Sequence, residues 1–132
     1  MKINQANIVE LAPMAVRTST YTGTGFDVSA YTGSCHVILQ SSAATVGTNP
    51  TLDVKLQDSD VLGSGYEDIP DAAFSQLTAA ADVTSMITIK PDELKKFIRV
   101  VGTIGGTSTP TFGFGVSMVG VLQAGRNSTQ VV

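Results

Sequence analysis

Residues 51–57 read Thr-Leu-Asp-Val-Lys-Leu-Gln, and this stretch decides the expected fold class of the chain. Apolar Leu52, Val54 and Leu56 alternate with polar residues. Successive side chains of a β-strand point to opposite faces of a sheet, so this alternation is typical of a strand with one buried face and one solvated face. The stretch therefore predicts a half-buried strand.

Similar short runs occur on both sides of this strand, separated by turns rich in Gly, Ser, Thr, Asn and Pro. Alternating strand and helix units, which a parallel sheet needs, are absent. The chain is therefore predicted to be all-β, an antiparallel β-sandwich that is jelly-roll-like, with a short N-terminal arm. The predicted strands are residues 34–42, 51–57, 66–70, 74–78, 85–90, 97–104 and 111–122.

The segments between these strands carry their own predictions. Residues 18–25 are expected to form a loop, and residues 105–110, Gly-Gly-Thr-Ser-Thr-Pro, a hairpin loop. Residues 91–95 are expected to form one helical turn, because Pro91 suits a first helical position, and residues 79–82 could form another.

The last predicted strand places its bulky apolar residues on one face and Gly113, Gly115 and Ser117 on the other. Glycines in a strand often mark the close approach of another backbone. The sequence therefore predicts that another backbone, or a partner surface, passes close to this face.

The length of 132 residues fits one domain that can bury its own core. Residues 1–19 are assigned to an N-terminal arm or edge strand, because Pro13 suits neither a helix interior nor a central strand. Residues 20–122 form the predicted sandwich. Residues 123–132 are assigned to a flexible C-terminal tail, whose last two valines could add to the sheet of a neighbour.

Composition argues against several classes of partner. The net charge is −3 and only 14% of residues are charged, so a cationic surface for nucleic acid is not expected. No apolar run reaches the roughly 18–20 residues of a membrane helix, and the start of the chain lacks the apolar core of a secretory signal. The chain is therefore expected to be made in the cytoplasm.

The single cysteine, Cys35, is expected to be a buried small hydrophobe.

Catalytic and metal sites receive little support from the sequence. His36 is the only histidine, and its neighbour Cys35 would point to the opposite face of a strand, so the two do not form a local catalytic pair. One His and one Cys do not fill a zinc shell. We therefore predict no catalytic residue, no metal and no cofactor. The acidic segment 58–71 leaves calcium open, although Leu62 breaks the EF-hand pattern.

Five stretches together resemble a known family in their order and spacing. This resemblance is to the small virion proteins of tailed bacteriophages and prophages that are encoded among the head genes, and it covers about residues 20–122. Proteins of this type resemble head decoration, or cement, proteins, which are jelly-roll modules without catalytic residues that bind the outside of an expanded capsid and stabilise it. The stretches are Gly-Thr-Gly-Phe-Asp-Val-Ser-Ala-Tyr-Thr-Gly (23–33), Val-Ile-Leu-Gln-Ser-Ser-Ala (37–43), Thr-Asn-Pro-Thr-Leu-Asp-Val-Lys-Leu-Gln-Asp-Ser (48–59), Lys-Phe-Ile-Arg-Val-Val-Gly-Thr-Ile-Gly-Gly (96–106) and Phe-Gly-Phe-Gly-Val-Ser-Met-Val-Gly (112–120).

The resemblance implies a location and partners. The protein is expected on the outer surface of a phage capsid, bound to the major capsid protein, and self-associated as a trimer on local threefold axes, with a dimer as the second option. The arm at residues 2–17 is expected to contact the capsid or a neighbouring copy. The partner-binding residues assigned within it are Ile8, Val9, Leu11, Pro13, Met14, Val16 and Arg17.

Two further functions stay open at this point. A carbohydrate-binding module can share the same sandwich architecture, and it would need exposed coplanar tyrosines beside a groove. A tail or head-completion component is the other alternative, and it would form rings. An enzyme is not expected.

Overall fold

The computed structural model describes residues 6–42, 47–78 and 82–122. Nine strands and one 3-10 turn, at Pro91–Glu93, make up the regular structure of these residues. The strands are β1 (Ala6–Arg17), β2 (Tyr21–Thr22), β3 (Phe26–Asp27), β4 (Tyr31–Ser41), β5 (Thr48–Ser59), β6 (Glu67–Ala73), β7 (Val83–Ile89), β8 (Phe97–Thr107) and β9 (Phe112–Leu122).

The strands form two antiparallel sheets packed face to face. One sheet has four strands in the order β1-β9-β4-β7, and the other has the order β2-β8-β5-β6 with β3 also paired to β8. Apart from the β5–β6 hairpin and the short β2–β3 link, each connection crosses from one sheet to the other, as in a jelly roll. The predicted all-β antiparallel sandwich is confirmed.

The core lies between the two sheets and is formed by the alternate apolar side chains that were predicted to face inward. Leu52, Val54 and Leu56 of β5 are at most 1% exposed. Phe112 and Phe114, from β9 of the opposite sheet, are equally buried. Each such side chain contributes about 1.5–3 kcal/mol by leaving water. The inward faces of β5 and β9 were therefore assigned correctly from sequence.

The connection between β8 and β9 differs from the predicted hairpin. β8 continues to Thr107 and pairs with β5, whereas β9 pairs with β1 and β4 in the other sheet. The link therefore crosses the sandwich. This crossing brings Phe114 of β9 under Gly102 of β8, where an added Cβ would lie 2.6 Å from the phenyl ring. Because Gly102 has no side chain, the Phe114 ring of the facing sheet can occupy the space beside it.

The strand predicted at residues 74–78 is wrong. This segment touches β5 only at isolated points, namely the Phe74 N–H to the Val54 carbonyl and a two-way bridge between Leu77 and Leu52. Phe74 is buried and Leu77 half-buried, while the two residues between them are exposed. The two inward residues are thus three positions apart, which a strand of period two cannot provide.

Smaller differences concern the loops. The loop predicted at residues 18–25 contains the two-residue strand β2, which pairs with β8. The helical turn predicted at 91–95 is confirmed as the 3-10 turn. Three of the four residues of the turn predicted at 79–82, namely 79–81, lie outside the described residues. The tail predicted at 123–132 lies wholly outside them. Within the described residues, none of the helical structure has the length and apolarity of a membrane-crossing helix.

Strand β1 lies at the edge of the four-stranded sheet and pairs with β9. Its register shifts twice, once between Glu10 and Ala12 and once between Ala12 and Ala15. Pro13 lies in the second shift, where the ladder is interrupted and a missing N–H donor costs least. Residues 6–17 are therefore held against the body of the sandwich as a bulged edge strand.

Candidate functional site

The outer surface of the four-stranded sheet is the strongest candidate for a functional site. Its most exposed large apolar side chains are Ile8 (72%), Val16 (64%), Met86 (58%) and Met14 (52%). Contiguous exposed apolar surface is uncommon on a soluble protein and often marks an interaction site. We call this surface the apolar face. Its apolar members are Ile8, Met14, Val16, Ile38, Met86, Val119 and Val121.

The sheet register brings these residues together from distant parts of the sequence. One cross-strand row runs from Ile8 through Val119 to His36. The next row includes Ile38 and its neighbour Met86. Directly opposed side chains in antiparallel strands lie about 4.5–5.5 Å apart at Cβ, so each row forms a continuous strip.

Charge distinguishes the two outer surfaces of the sandwich. Among the described outward-facing residues of β1, β4, β7 and β9, Glu10 is the only one with a formal charge at neutral pH. The opposite surface carries a polar network in which Asp68 accepts hydrogen bonds from Lys55 at 2.9 Å and Gln57 at 2.8 Å. Gln57 in turn accepts a hydrogen bond from Arg99 at 2.9 Å. The apolar face, with one charged residue among those described, is therefore the surface better suited to a dry contact.

The partner-binding residues assigned from sequence divide between this face and the interior. Ile8, Met14 and Val16 contribute exposed side chains to the apolar face. Leu11 is only 7% exposed and belongs to the core, and Val9 packs half-buried against that core. This division follows the alternation of side chains along a strand, since Ile8 faces outward and Val9 and Leu11 face inward, and the two register shifts of β1 together return Met14 and Val16 to the outer side.

Arg17, also assigned to partner binding, contacts its own strand and neighbouring strands. Its guanidinium donates hydrogen bonds to the carbonyl oxygens of Phe114 (2.6 Å), Pro13 (2.5 Å) and Ala15 (3.3 Å). The same group lies 4.3 Å from the ring centroid of Tyr21 and 4.6 Å from that of Phe114. Arg17 thus binds the carbonyl groups of the Pro13 bulge and holds β1 in its bulged path.

Sequence reasoning missed the members of the apolar face that lie outside β1. Ile38 stands between Val37 and Leu39, so three consecutive apolar residues cannot all face the core of a strand. Val119 follows the core residue Met118 in the same way. An apolar residue at an outward-facing position of a strand was the available signal for an apolar surface on the outside of the sheet.

Cys35 and His36 lie on opposite sides of their sheet, as predicted. Cys35 is fully buried, and desolvation raises the pKa of its thiol. His36 is exposed on the apolar face, where Nδ1 lies 3.1 Å from the hydroxyl oxygen of Thr88. The structure does not bring these two side chains together into a nucleophile and base pair.

The acidic segment 58–71 binds cationic and N–H groups of this chain. Lys95 lies 2.8 Å from Glu67, and the hydrogen bond from Lys95 lowers the pKa of the Glu67 carboxyl. Asp58 accepts a hydrogen bond from the backbone N–H of Lys95 at 3.0 Å. Within residues 6–42, 47–78 and 82–122, no three His, Cys, Asp or Glu side chains are grouped as a metal site would require.

The tyrosines do not form a sugar-stacking platform. Tyr21 is half-buried beneath Arg17, and Tyr31 is buried. The hydroxyl of Tyr66 donates to the carbonyl of Leu62 at 2.7 Å, and its ring stacks with Arg99 at 4.1 Å. The exposed coplanar tyrosines that a carbohydrate-binding function would need are therefore absent.

One groove opens where the two sheets part, between β6 and β7. Its volume is about 410 Å³. Ile69, Ala72, Ile89 and Leu94 supply apolar walls, and charged side chains stand among the lining residues. The groove lies beside the edge of β7 with which no described strand pairs.

Comparisons with known proteins add information about the fold. No family model matches the chain, and no curated protein matches it. A chain of the infectious bursal disease virus VP2 subviral particle superposes with a TM-score of 0.56 at 14% identity, over 98% of this chain and 35% of that one. A chain from the Gx strain of the same virus gives 0.53 at 13% identity, over 94% and 33%.

The similarity is one of fold. This chain spans about a third of the length of those viral chains. The SPBc2 prophage-derived protein YomS matches at 13% identity over 92% of this chain and 96% of its own, with a TM-score of 0.48. The viral superpositions therefore support the sandwich architecture, while function has to be argued from the apolar face.

Proposed function

We propose that this protein is a structural component of a phage virion that binds the outside of the capsid and stabilises it. The apolar face carries the proposal, because it offers an exposed apolar contact surface on one side of the sandwich, with Glu10 as the one charged residue among those described. The resemblance in sequence to head decoration proteins supplies the class of partner. The fold shared with a protein of a virus particle agrees with this assignment.

The physical requirements of a capsid-stabilising protein match the molecule. Burying an exposed Ile, Val or Met side chain against a partner contributes about 1.5–3 kcal/mol before the costs of association are subtracted. A single face with four strongly exposed apolar residues gives modest affinity. Copies that self-associate and bind several capsid subunits at once would bind much more tightly. The proposal requires no catalysis and assigns none.

A reconstitution experiment tests this proposal. Virions of the encoding phage are purified from a gene-deletion stock, mixed with the purified chain and sedimented. The wild-type chain is expected to co-sediment in a saturable, fixed ratio and to raise the temperature at which the particles release DNA. Absence of co-sedimentation at micromolar concentrations would refute capsid binding.

Matched variants then test the surface. Ile8→Lys and Val16→Lys each place a charge on the apolar face, and each is expected to weaken binding at least about tenfold, because a buried unpaired charge is strongly unfavourable. Thr103→Lys adds the same charge to an exposed site on the other sheet and should bind as the wild type does. Circular dichroism confirms that all variants fold. Equal binding by all three variants would exclude the apolar face as the contact surface.

A further inference from the structure

Strand β7 forms an edge that lacks the usual protection against strand pairing. Its residues 83–89 pair with β4 on one side, without any register shift, and no described strand pairs with the other side. Edge strands are normally blocked by proline, charge or bulges. The opposite edge, β1, has Pro13 and two register shifts, and β6 has Pro70 and one. Strand β7 contains none of these features.

The sequence around β7 is complementary to itself when read in the opposite direction. Asp82 and Lys90 flank the strand at equal distances from Met86, and both are exposed. Thr84 and Thr88 are likewise equally far from Met86. An antiparallel pair of β7 strands centred on Met86 therefore places Asp82 of each copy opposite Lys90 of the other.

We propose that two copies of this chain associate through their β7 strands, antiparallel and centred on Met86. The pairing joins two four-stranded sheets into one continuous sheet and supplies on the order of eight to ten backbone hydrogen bonds. Thr84 meets Thr88 of the second copy on the outer surface, a favourable cross-strand pair. Met86, 58% exposed in one copy, packs against its own symmetry mate.

Charge complementarity is what selects a second copy as the occupant of this edge. Neither Asp82 nor Lys90 has an ion-pair partner among the described residues. In the proposed register each Asp82 lies opposite Lys90 of the other copy, which gives two opposite-charge pairs, one at each end of the paired strands. Opposite charges directly across an antiparallel pair are favourable, and like charges are unfavourable. An isologous strand pair closes on itself, so it produces a twofold dimer and excludes a threefold ring through this edge.

This inference concerns self-association alone and does not depend on capsid binding. The test measures the mass of the full-length chain in solution by light scattering and sedimentation equilibrium. The wild-type chain is expected to dimerise. Asp82→Lys and Lys90→Asp each convert two attractive pairs into two repulsive ones, and each should weaken dimerisation by about tenfold at low salt.

The double variant carrying both reversals restores the attraction and should recover dimerisation to within about threefold of wild type. A monomeric wild-type chain, a trimer, or single reversals that leave dimerisation unchanged would overturn the proposal. Failure of the double variant to recover, when circular dichroism shows that it is folded, would also overturn it. Capsid co-sedimentation is scored separately, so the two proposals can fail independently.

Cross-linking checks the register. Met86→Cys places two thiols face to face across the twofold axis, where a short bismaleimide should link them. Thr103→Cys, exposed on the other sheet, is the matched control and should remain monomeric under denaturing electrophoresis. Cys35, which both variants keep, is fully buried, so the wild-type chain measures the background level of cross-linking. Equal cross-linking at positions 86 and 103, or none at 86, would contradict the proposed pairing.

Discussion

The backbone of Met14 lies directly over Gly115. A Cβ atom built on Gly115 would stand 3.0 Å from both the nitrogen and the Cα of Met14. The bulge of β1 places Pro13 and Met14 opposite this one residue of β9, since Ala12 pairs with Val116 and Ala15 with Phe114. The close backbone approach predicted from the glycines of β9 is thus confirmed, and the approaching backbone belongs to the same chain.

Substitution of Gly115 tests this contact. Gly115→Ala is expected to destabilise the protein by about 1–3 kcal/mol, because backbone atoms yield less readily than a flexible side chain. The free energy of unfolding in urea measures the effect. Ser117→Ala, two residues along the same face, should change that free energy by no more than about 0.5 kcal/mol. A Gly115→Ala variant as stable as wild type would show that β1 does not pack closely there.

Arg17 is expected to stabilise the folded chain rather than bind a partner directly. Arg17→Lys keeps the charge but loses the three-carbonyl geometry and the stacking on Tyr21, and should cost about 1–2 kcal/mol in the free energy of unfolding. Lys96→Met, at an exposed residue, serves as the control and should have little effect. If the urea midpoint of Arg17→Lys equals that of the wild type, Arg17 does not stabilise the bulge of β1.

The hairpin of β5 and β6 should weaken in acid. The hydrogen bond from Lys95 lowers the pKa of Glu67 below its ordinary value of 4.5, and hydrogen bonds from Gln57 and then Lys55 lower that of Asp68 below 3.8. The unfolded chain, with ordinary pKa values, binds protons more readily than the folded chain. The stabilisation is therefore fully present above the ordinary values and is lost as pH falls through the lowered ones.

Urea midpoints measured from pH 7 down to pH 3 should show this loss. Because both carboxylates are exposed, the effect should be modest and should shrink in salt. Asp68→Asn should flatten the acid limb of the profile, whereas Asp92→Asn, at an exposed residue of the 3-10 turn, should leave it unchanged. An unaltered profile in Asp68→Asn would count against the network.

Cys35 should be unreactive until the protein unfolds. The side chain is fully buried, and burial raises the pKa of the thiol above its ordinary value of 9.0, so both access and thiolate content are low. A disulfide reagent at pH 8 should label the native chain only at the rate of its opening, and label it rapidly in urea. The exposed thiol of Thr103→Cys provides the fast reference. Rapid labelling of native wild-type protein would contradict the buried position.

The strand pattern was predictable where one face is buried. In β5, alternation places Leu52, Val54 and Leu56 inward because each outward position is polar. The same reasoning failed at residues 74–78, where the two residues that contact β5, Phe74 and Leu77, lie three positions apart. Leu11 was assigned to partner binding with the rest of its segment, although alternation with the exposed Ile8 and Glu10 places this side chain on the inner face.

Local composition by itself determined that the chain is an all-β sandwich with a buried cysteine and few charges, since strand periodicity and side-chain polarity act over neighbouring residues. Tertiary structure alone decided that Ile8, Ile38, Met86 and Val119 share one outer surface and that β7 is the last strand of its sheet among the described residues. The physical reason is that antiparallel pairing brings together strands far apart in the sequence, and no single strand records which neighbours it has or whether it has any.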